Sequence, residues 1–213
     1  MTATAHDLAA ALERCPLVAI LRGVRPDEVE AVADAIVEAG FGMVEVPLNS
    51  PEPLESIARL ARRYGPEVLI GAGTVLQPAQ VDAVAAAGGR LIVSPNVDAT
   101  VIGASAQRRL VCLPGYSTPT EAFIALSAGA TGLKLFPAEA ASPAVLKAQR
   151  AVLPADLAVL VVGGVGADNI GEWFAAGAAG AGIGGSLYRP GRTVREVGAI
   201  AEGLVRAARA ARG

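Results

Sequence analysis

The sequence predicts an α/β fold, specifically a (β/α)8 TIM barrel with an extra N-terminal helix. Eight short apolar segments, rich in β-branched residues, recur along the 213 residues. Alanine-rich segments with helical apolar spacing separate them, which is typical of parallel strands connected by helices. Eight such repeats favour closure into a barrel. Because no linker or low-complexity stretch interrupts the pattern, residues 1–213 are expected to form a single barrel domain.

The predicted strands follow one another along the whole chain. In order, they are Leu17–Leu21, Met43–Pro47, Val68–Gly71, Arg90–Val93, Leu110–Leu113, Gly132–Leu135, Ala158–Val162 and Gly180–Gly184. The segment from Thr4 to Arg14 is predicted to be the extra helix. Since alternate strand residues face opposite sides, Glu45 and Lys134 are expected to point into the barrel. Both lie near the carboxyl ends of their strands, where barrel enzymes place their active sites.

Capping residues and glycines mark the helix boundaries between these strands. Three hydroxyl–proline pairs predict helix starts, each with an N-cap hydroxyl before a proline. They are Ser50-Pro51, Thr118-Pro119 and Ser142-Pro143. Thr118 and Glu121 also match the capping-box pattern. Glycine favours the left-handed conformation that ends many helices, which predicts ends at Gly40, Gly88, Gly129 and Gly177.

The composition argues against several kinds of partner and site. A formal net charge of −2 predicts no broad basic surface, so no nucleic-acid partner is expected. The chain shows no signal-peptide pattern and no apolar run of membrane-spanning length, so we expect a cytoplasmic protein without a membrane partner. His6 is the only histidine, and Cys15 and Cys112 are isolated. Neither a metal site nor a histidine-dependent triad nor a disulfide framework is therefore expected.

Lys134 is the most informative candidate residue. The chain has 18 basic residues, but only Lys134 and Lys147 are lysines. An amine can lose its proton and attack a carbonyl, whereas a guanidinium effectively cannot. Apolar surroundings also favour the neutral, nucleophilic amine. Glu45 lies in an equally apolar strand, where a carboxylate is costly unless it has a role. The pair suggests a nucleophile beside a general acid/base, with a purely structural Glu–Lys ion pair as the alternative.

Two more polar residues lie where strands end. Arg22 follows the first strand, and its guanidinium could bind a carboxylate through two parallel hydrogen bonds. An ordinary solvated arginine is the alternative. Thr74 lies in the glycine-rich turn after the third strand, where its hydroxyl could bond a substrate oxygen. On its own this turn is a weak signal, because any tight connection between a strand and a helix resembles it.

Glycines cluster after the last two predicted strands. The clusters are Gly163 and Gly164, and then Gly184 and Gly185 with Ser186. Glycines allow backbone N–H groups to approach an anion closely. The loops after strands seven and eight are the usual phosphate site of barrels, so the clusters predict a phosphate site. The alternative is that they serve only close packing.

The order and spacing of these motifs resemble the class I aldolases of 2-keto-3-deoxy-6-phospho sugar acids. The resemblance extends from Pro16 to the final helix. It is carried by Ala19-Ile20-Leu21-Arg22-Gly23, Val44-Glu45-Val46-Pro47-Leu48-Asn49-Ser50, Gly71-Ala72-Gly73-Thr74-Val75, Val93-Ser94-Pro95-Asn96, Leu133-Lys134-Leu135-Phe136-Pro137 and Gly163-Gly164.

The resemblance implies a role for each of these residues. Lys134 would be the Schiff-base lysine and Glu45 the acid/base. The pyruvyl group would be held by Arg22 and Thr74 and walled by Pro95 and Phe136. Phosphate would be held by Gly163, Gly164, Gly184, Gly185 and Ser186. The resemblance further implies a homotrimer that acts on a small phosphorylated keto-deoxy sugar acid without a metal or cofactor.

Two details are similar to the galactonate branch of this family rather than the gluconate branch. The run Glu45-Val46-Pro47-Leu48-Asn49-Ser50 differs from the Glu-Val-Thr-Leu-Arg-Thr of the gluconate branch. Val162 stands where that branch has a threonine, and valine cannot donate a hydrogen bond to a C4 hydroxyl. Gluconate-type or 4-hydroxy-2-oxoglutarate cleavage is the nearest alternative. A phosphate-binding barrel epimerase and a non-catalytic phosphosugar-binding barrel are more distant ones.

Overall fold

The computed structural model describes residues 2–212 as a barrel of parallel strands surrounded by helices. The strands in this range are β1 (Leu17–Ile20), β2 (Met43–Pro47), β3 (Leu69–Gly73), β4 (Leu91–Val93), β5 (Val111–Leu113), β6 (Gly115–Tyr116), β7 (Leu133–Leu135), β8 (Val159–Val162) and β9 (Gly180–Ile183). Neighbouring strands follow the order β5-β4-β3-β2-β1-β9-β8-β7-β6.

A helix follows most strands and packs outside the barrel. The helices are α1 (Ala3–Arg14), α2 (Val29–Glu38), α3 (Pro53–Tyr64), α4 (Pro78–Ala86), α5 (Ala99–Gln107), α6 (Pro119–Ser127), α7 (Pro143–Arg150), α8 (Ile170–Ala175) and α9 (Val194–Ala210), with a short 3-10 turn at Ala138–Ala140. The predicted barrel and its extra N-terminal helix are confirmed. No helix within residues 2–212 combines the length and apolarity needed to cross a membrane.

The fifth predicted strand, Leu110–Leu113, corresponds to β5, but the structure adds a short strand that was not predicted, β6, after a break at Pro114. Proline has no backbone N–H, so it cannot donate to a strand ladder. On one side of this break β5 pairs with β4, and on the other β6 pairs with β7. The carbonyl of Pro114 accepts a hydrogen bond from the amide of Lys134 at 2.9 Å. The strand thus changes partners at Pro114 and brings the two ends of the sheet together.

Two of the three predicted helix starts are confirmed. Thr118 and Ser142 cap α6 and α7 with their hydroxyl groups. The start predicted at Ser50-Pro51 is wrong, since α3 begins at Pro53. The Ser50 hydroxyl instead accepts a hydrogen bond from the amide of Gly23 at 2.9 Å, which ties the loop after β2 to the loop after β1. The four predicted helix-ending glycines all have positive φ angles.

The barrel interior is filled by apolar side chains from the strands and closed at its amino end by α1. Leu8 and Leu12 of α1 pack against Val18, Met43 and other inward-facing strand residues. A larger apolar cluster lies between the strands and the outer helices. Closure of the amino end leaves the opposite mouth, at the carboxyl ends of the strands, as the place where polar residues reach the interior.

Candidate active site

Glu45 and Lys134 lie on separate strands of the barrel, and both are buried. Glu45 is 3% exposed and Lys134 is 7% exposed. Met43, two positions before Glu45 on β2, belongs to the apolar cluster that fills the barrel. By strand alternation, Glu45 faces the same interior. The positive charge of Lys134 also acts on the carboxyl group of Glu45 and lowers its pKa.

The carboxyl group of Glu45 is poorly compensated by its surroundings. Burial raises its pKa from 4.5 to about 7, and the positive charges of Lys134 and Arg22 oppose this rise only in part. Its Oε2 atom is buried and makes no hydrogen bond within the described residues. None of the salt bridges found in residues 2–212 joins Glu45 to Lys134. A carboxyl group that served only a structural ion pair would not be left unpaired in this way.

The amine of Lys134 is shifted towards its neutral form. Burial lowers its pKa, the nearby Glu45 carboxylate partly offsets this effect, and the positive charge of Arg22 adds to it. The Nζ atom lies 4.4 Å from the centroid of the Phe136 ring. The side chain is therefore held against Phe136, which forms one wall of the barrel mouth. An amine shifted in this way is suited to nucleophilic attack, and a carboxyl group with a pKa of about 7 is suited to proton exchange near neutral pH.

Gly73 makes room for the carboxyl group of Glu45. A Cβ atom at Gly73, on neighbouring strand β3, would lie 1.6 Å from Oε2 and 2.4 Å from Cδ of Glu45. The carboxyl group therefore packs directly against the backbone of β3. The sequence alone does not reveal this contact, because it depends on the pairing of β2 with β3.

Gly73→Ala is expected to displace the Glu45 carboxyl group. Overpacking of this kind costs about 1–3 kcal/mol of stability, and we expect turnover to fall by roughly 100-fold or more because the acid/base group is misplaced. Urea unfolding and steady-state kinetics measure the two effects. Gly103→Ala is the matched control, since a Cβ there has open space and α5 should tolerate it. Unchanged turnover in Gly73→Ala would contradict the importance of this contact.

Arg22 and Thr74 lie at the barrel mouth above these groups. Arg22 is exposed, and its Nη1 donates to Oδ1 of Asn49 at 2.7 Å. Thr74 is partly buried and has a φ of 57°, in the left-handed region that β-branched residues rarely adopt. Such a conformation costs about 1–3 kcal/mol and is typical of functional sites. Pro95 and Phe136 are partly buried at the ends of their strands.

A cleft of about 790 Å³ opens at the carboxyl ends of β1, β8 and β9. It brings together Arg22, Phe136 and Val162 with Gly163, Gly164, Gly184, Gly185 and Ser186. Lys134, Glu45, Thr74 and Pro95 do not line this cleft. Phe136 connects the two groups, because it lines the cleft and also contacts Lys134. The predicted phosphate residues therefore line the cleft, and Lys134 lies behind Phe136, which forms part of the cleft wall.

Both glycine clusters expose backbone amides in this cleft. Within the described residues, the amides of Gly164, Gly185 and Ser186 donate no hydrogen bond. Asn169 donates from Nδ2 to the carbonyl of Gly164 at 2.9 Å and so fixes that turn. Close packing also contributes, since a Cβ at Gly164 would lie 2.6 Å from Cγ of Glu139. The clusters thus combine tight packing with free donors suited to an anion.

Two cleft residues escaped sequence reasoning. Asn169 follows the glycine pair by five positions, and only its hydrogen bonds show that it orders the turn. Arg189 follows the second cluster by three positions and is one of many arginines, so its position carried no signal. Asn49 lies in the motif that contains Glu45, but its bond to Arg22 spans 27 residues and depends on the barrel bringing two loops together.

The chain is similar in sequence and in structure to known aldolases. A relative from Escherichia coli strain K12, named 2-dehydro-3-deoxy-6-phosphogalactonate aldolase, is 50% identical over 198 residues, which cover 93% of this chain and 97% of the relative. A Haemophilus influenzae strain Rd relative, named 2-dehydro-3-deoxy-phosphogluconate aldolase, is 29% identical over 177 residues, 82% of each chain. The solved structure titled "Native KDPGal structure" is similar with a TM-score of 0.92 and 49% identity, over 93% of this chain and 96% of that chain.

The family assignment rests on sequence and structure together. The family model described as KDPG and KHG aldolase matches residues 8–200, which include both buried groups and both glycine clusters. The segments that carry the resemblance in the sequence lie around one barrel mouth in the structure. This chain therefore belongs to the KDPG and KHG aldolase family.

Proposed function

We propose that this protein is a class I aldolase that cleaves 2-dehydro-3-deoxy-6-phospho-D-galactonate to pyruvate and D-glyceraldehyde 3-phosphate. The observation that carries the proposal is the buried Lys134 amine, with its lowered pKa, near a buried Glu45 carboxyl group whose pKa is raised to about 7. The 50% identity to a relative named for this substrate supports the choice of substrate.

The reaction follows from the two buried groups. The neutral amine of Lys134 attacks the C2 ketone, and loss of water gives an imine. The imine nitrogen accepts the electron pair of the C3–C4 bond as it breaks, while Glu45, directly or through water, takes the proton of the C4 hydroxyl. The aldehyde leaves, the enamine gains a proton at C3, and water releases pyruvate and restores the amine. No step requires a metal or a cofactor.

The remaining residues bind and orient the substrate. Arg22, held by Asn49, binds the carboxylate of the pyruvyl group. The Thr74 hydroxyl bonds a pyruvyl oxygen, and Pro95 and Phe136 wall the pocket. Phosphate binds to the free amides beside Gly163 and Gly164 and to those of Gly184, Gly185 and Ser186. The substrate therefore extends from the buried pair into the cleft.

Val162 is proposed to set the preference at C4. It lines the cleft at the end of β8, directly before the glycine pair, and is 8% exposed. A valine offers no hydrogen bond, so a site built around it does not favour the C4 hydroxyl of the gluconate epimer. Gluconate-type cleavage remains the second candidate function, because the gluconate-type relative shares the family.

Turnover of the two C4 epimers by the native protein tests the proposed substrate, with the galactonate epimer expected to be preferred. In Val162→Thr, the added hydroxyl is expected to raise the relative kcat/KM for the gluconate epimer by roughly 10-fold or more. Val162→Ile keeps the apolar character and serves as the control for shape. If the native protein prefers the gluconate epimer, or if threonine leaves the ratio unchanged, this assignment of specificity is wrong.

We also propose that the protein assembles as a cytoplasmic homotrimer. The family resemblance implies this state, and an apolar patch on α6 supports contact with a second copy. Phe123 and Ile124 are 46% and 48% exposed, although large apolar side chains are normally buried. Sedimentation velocity measures the assembly, and Phe123→Asp is expected to weaken it. A monomeric native protein at assay concentration would contradict the trimer.

A further inference from the structure

Arg189 lies at the far end of the same cleft, next to the second glycine cluster. It follows β9 in the run Gly184-Gly185-Ser186-Leu187-Tyr188-Arg189 and lines the cleft together with Gly164 and Gly185. Its Nε donates to the carbonyl of Gly185 at 2.8 Å. The guanidinium is thus tied to the glycine turn whose amides are free.

The position of Arg189 is fixed by its neighbours. Tyr188 is buried, and its hydroxyl donates to Oε1 of Glu28 at 3.1 Å, which anchors the chain directly before Arg189. On the other side, Pro190 packs against the loop of Arg22, because a Cβ at Gly23 would lie 2.9 Å from Cγ of Pro190. These contacts hold the backbone on both sides of Arg189, and the bond from its Nε to Gly185 orders the guanidinium, so less freedom is lost when it binds a ligand.

The two outer nitrogens of Arg189 have no protein partner among the described residues. Neither a hydrogen bond nor a salt bridge in residues 2–212 involves its Nη1 or Nη2. A guanidinium has five N–H donors, and the glycine turn uses only one. Arg192 provides a contrast, since its Nη1 donates to the carbonyls of Ser186 and Leu187. Arg192 braces the turn, whereas Arg189 keeps its donors available.

The charges of the cleft leave a role for this cation. Two carboxylates, Glu139 and Asp168, line the cleft together with two arginines, Arg22 and Arg189. Backbone amides carry only partial charge, whereas a phosphate monoester carries nearly two negative charges at neutral pH. Without Arg189, two carboxylates would face one arginine, and that arginine is already assigned to the substrate carboxylate. Arg189 is therefore the second full positive charge that the cleft offers to a phosphate group.

We propose that Arg189 binds the terminal phosphate of the substrate and gives the enzyme its preference for phosphorylated over unphosphorylated sugar acids. This proposal rests on the proposed aldolase function. The glycine amides and Ser186 shape the site, and Arg189 supplies the full positive charge. Recognition of the substrate's charge thus depends on a side chain that lies outside the residues of the reacting centre.

The test compares kcat/KM for the phosphorylated galactonate-derived acid and for its unphosphorylated counterpart. Arg189→Gln is expected to lower the first value by roughly 10- to 100-fold and to leave the second within about 2-fold. Inhibition by inorganic phosphate should weaken by a similar factor. Arg189→Lys should retain an intermediate preference, because it keeps the charge but loses the fork. Arg195→Gln, an exposed change of the same charge on α9, should alter neither substrate.

Equal losses for both substrates, or an unchanged preference for the phosphorylated acid, would overturn the role of Arg189. If the native protein prefers the phosphorylated acid and Arg189→Gln keeps that preference, the proposed aldolase function stands and only the role of Arg189 is wrong. A native protein that cleaves neither acid contradicts the proposed function instead. Circular dichroism of each variant checks that the barrel has folded. If Arg189→Gln does not fold, the comparison of the two substrates is made with Arg189→Lys.

Discussion

Replacing Lys134 with arginine is expected to abolish cleavage while the positive charge is kept. A guanidinium does not release its proton near neutral pH, so no nucleophile remains to attack the ketone. Loss of a covalent nucleophile lowers turnover on the order of 10³-fold or more. Pyruvate release, followed with a coupled assay, measures the effect. Lys134→Met serves as a second variant, because arginine adds volume to a site that is only 7% exposed.

Lys147→Arg is the matched control for Lys134→Arg. Lys147 is the other lysine of the chain, and it is exposed on α7. Its replacement is expected to leave turnover unchanged. Retention of substantial cleavage by both Lys134 variants, in protein that is folded by circular dichroism, would show that the reaction does not proceed through this amine.

Glu45→Gln is expected to have opposite effects on activity and on stability. The amide cannot exchange the C4 hydroxyl proton, so turnover should fall by about 10²- to 10⁴-fold. The rate of the native protein should depend on a group that ionises near pH 7, since burial raises the pKa of Glu45 to about 7. That dependence should be absent from the residual activity of Glu45→Gln.

The same raised pKa makes Glu45 a cost to stability at neutral and higher pH. The folded protein holds the proton until about pH 7, whereas the unfolded chain releases it near 4.5. Stability therefore falls as pH rises from 4.5 to about 7, and the full loss of about 3 kcal/mol is present above pH 7. Glu45→Gln removes this cost, so urea unfolding at pH 8 should show a more stable variant.

At pH 4 the native protein and Glu45→Gln should have similar stability, because Glu45 is protonated in the folded state. If Glu45→Gln destabilised the protein equally at pH 4 and pH 8, the negative charge of Glu45 would be fully compensated in the folded protein, and this account of its cost would be wrong. Gly73→Ala offers an independent comparison, since it disturbs the same carboxyl group by steric contact. We expect it to lose both activity and stability, in contrast to Glu45→Gln.

Much of the fold could be predicted from the sequence because its signals are local. The alternation of apolar strands and alanine-rich helices identified the barrel, and the Thr118 capping box and the helix-ending glycines were confirmed. The failures depend on contacts distant in sequence. Ser50 caps no helix, because the barrel places it beside Gly23. The short strand β6 was not predicted, because its pairing with β7 becomes visible only in the folded barrel.

For the candidate site, the sequence indicates which residues are candidates but not how they are supported. Strand alternation predicts that Glu45 and Lys134 point into the barrel, since period-two geometry depends only on the strand itself, and both side chains are buried. The support around them was not predictable. The packing of Gly73 under Glu45 and the bond from Arg22 to Asn49 join neighbouring strands or loops. The free guanidinium of Arg189 becomes visible only once its surroundings are known.

Borohydride reduction in the presence of pyruvate tests the central proposal most directly. Reduction traps an imine between the enzyme and pyruvate, and peptide mapping by mass spectrometry locates it. We predict a single three-carbon adduct on Lys134, which is absent from Lys134→Arg and unaffected by Lys147→Arg. The absence of an adduct in the native protein, or an adduct located on Lys147, would contradict the proposal that Lys134 is the Schiff-base lysine.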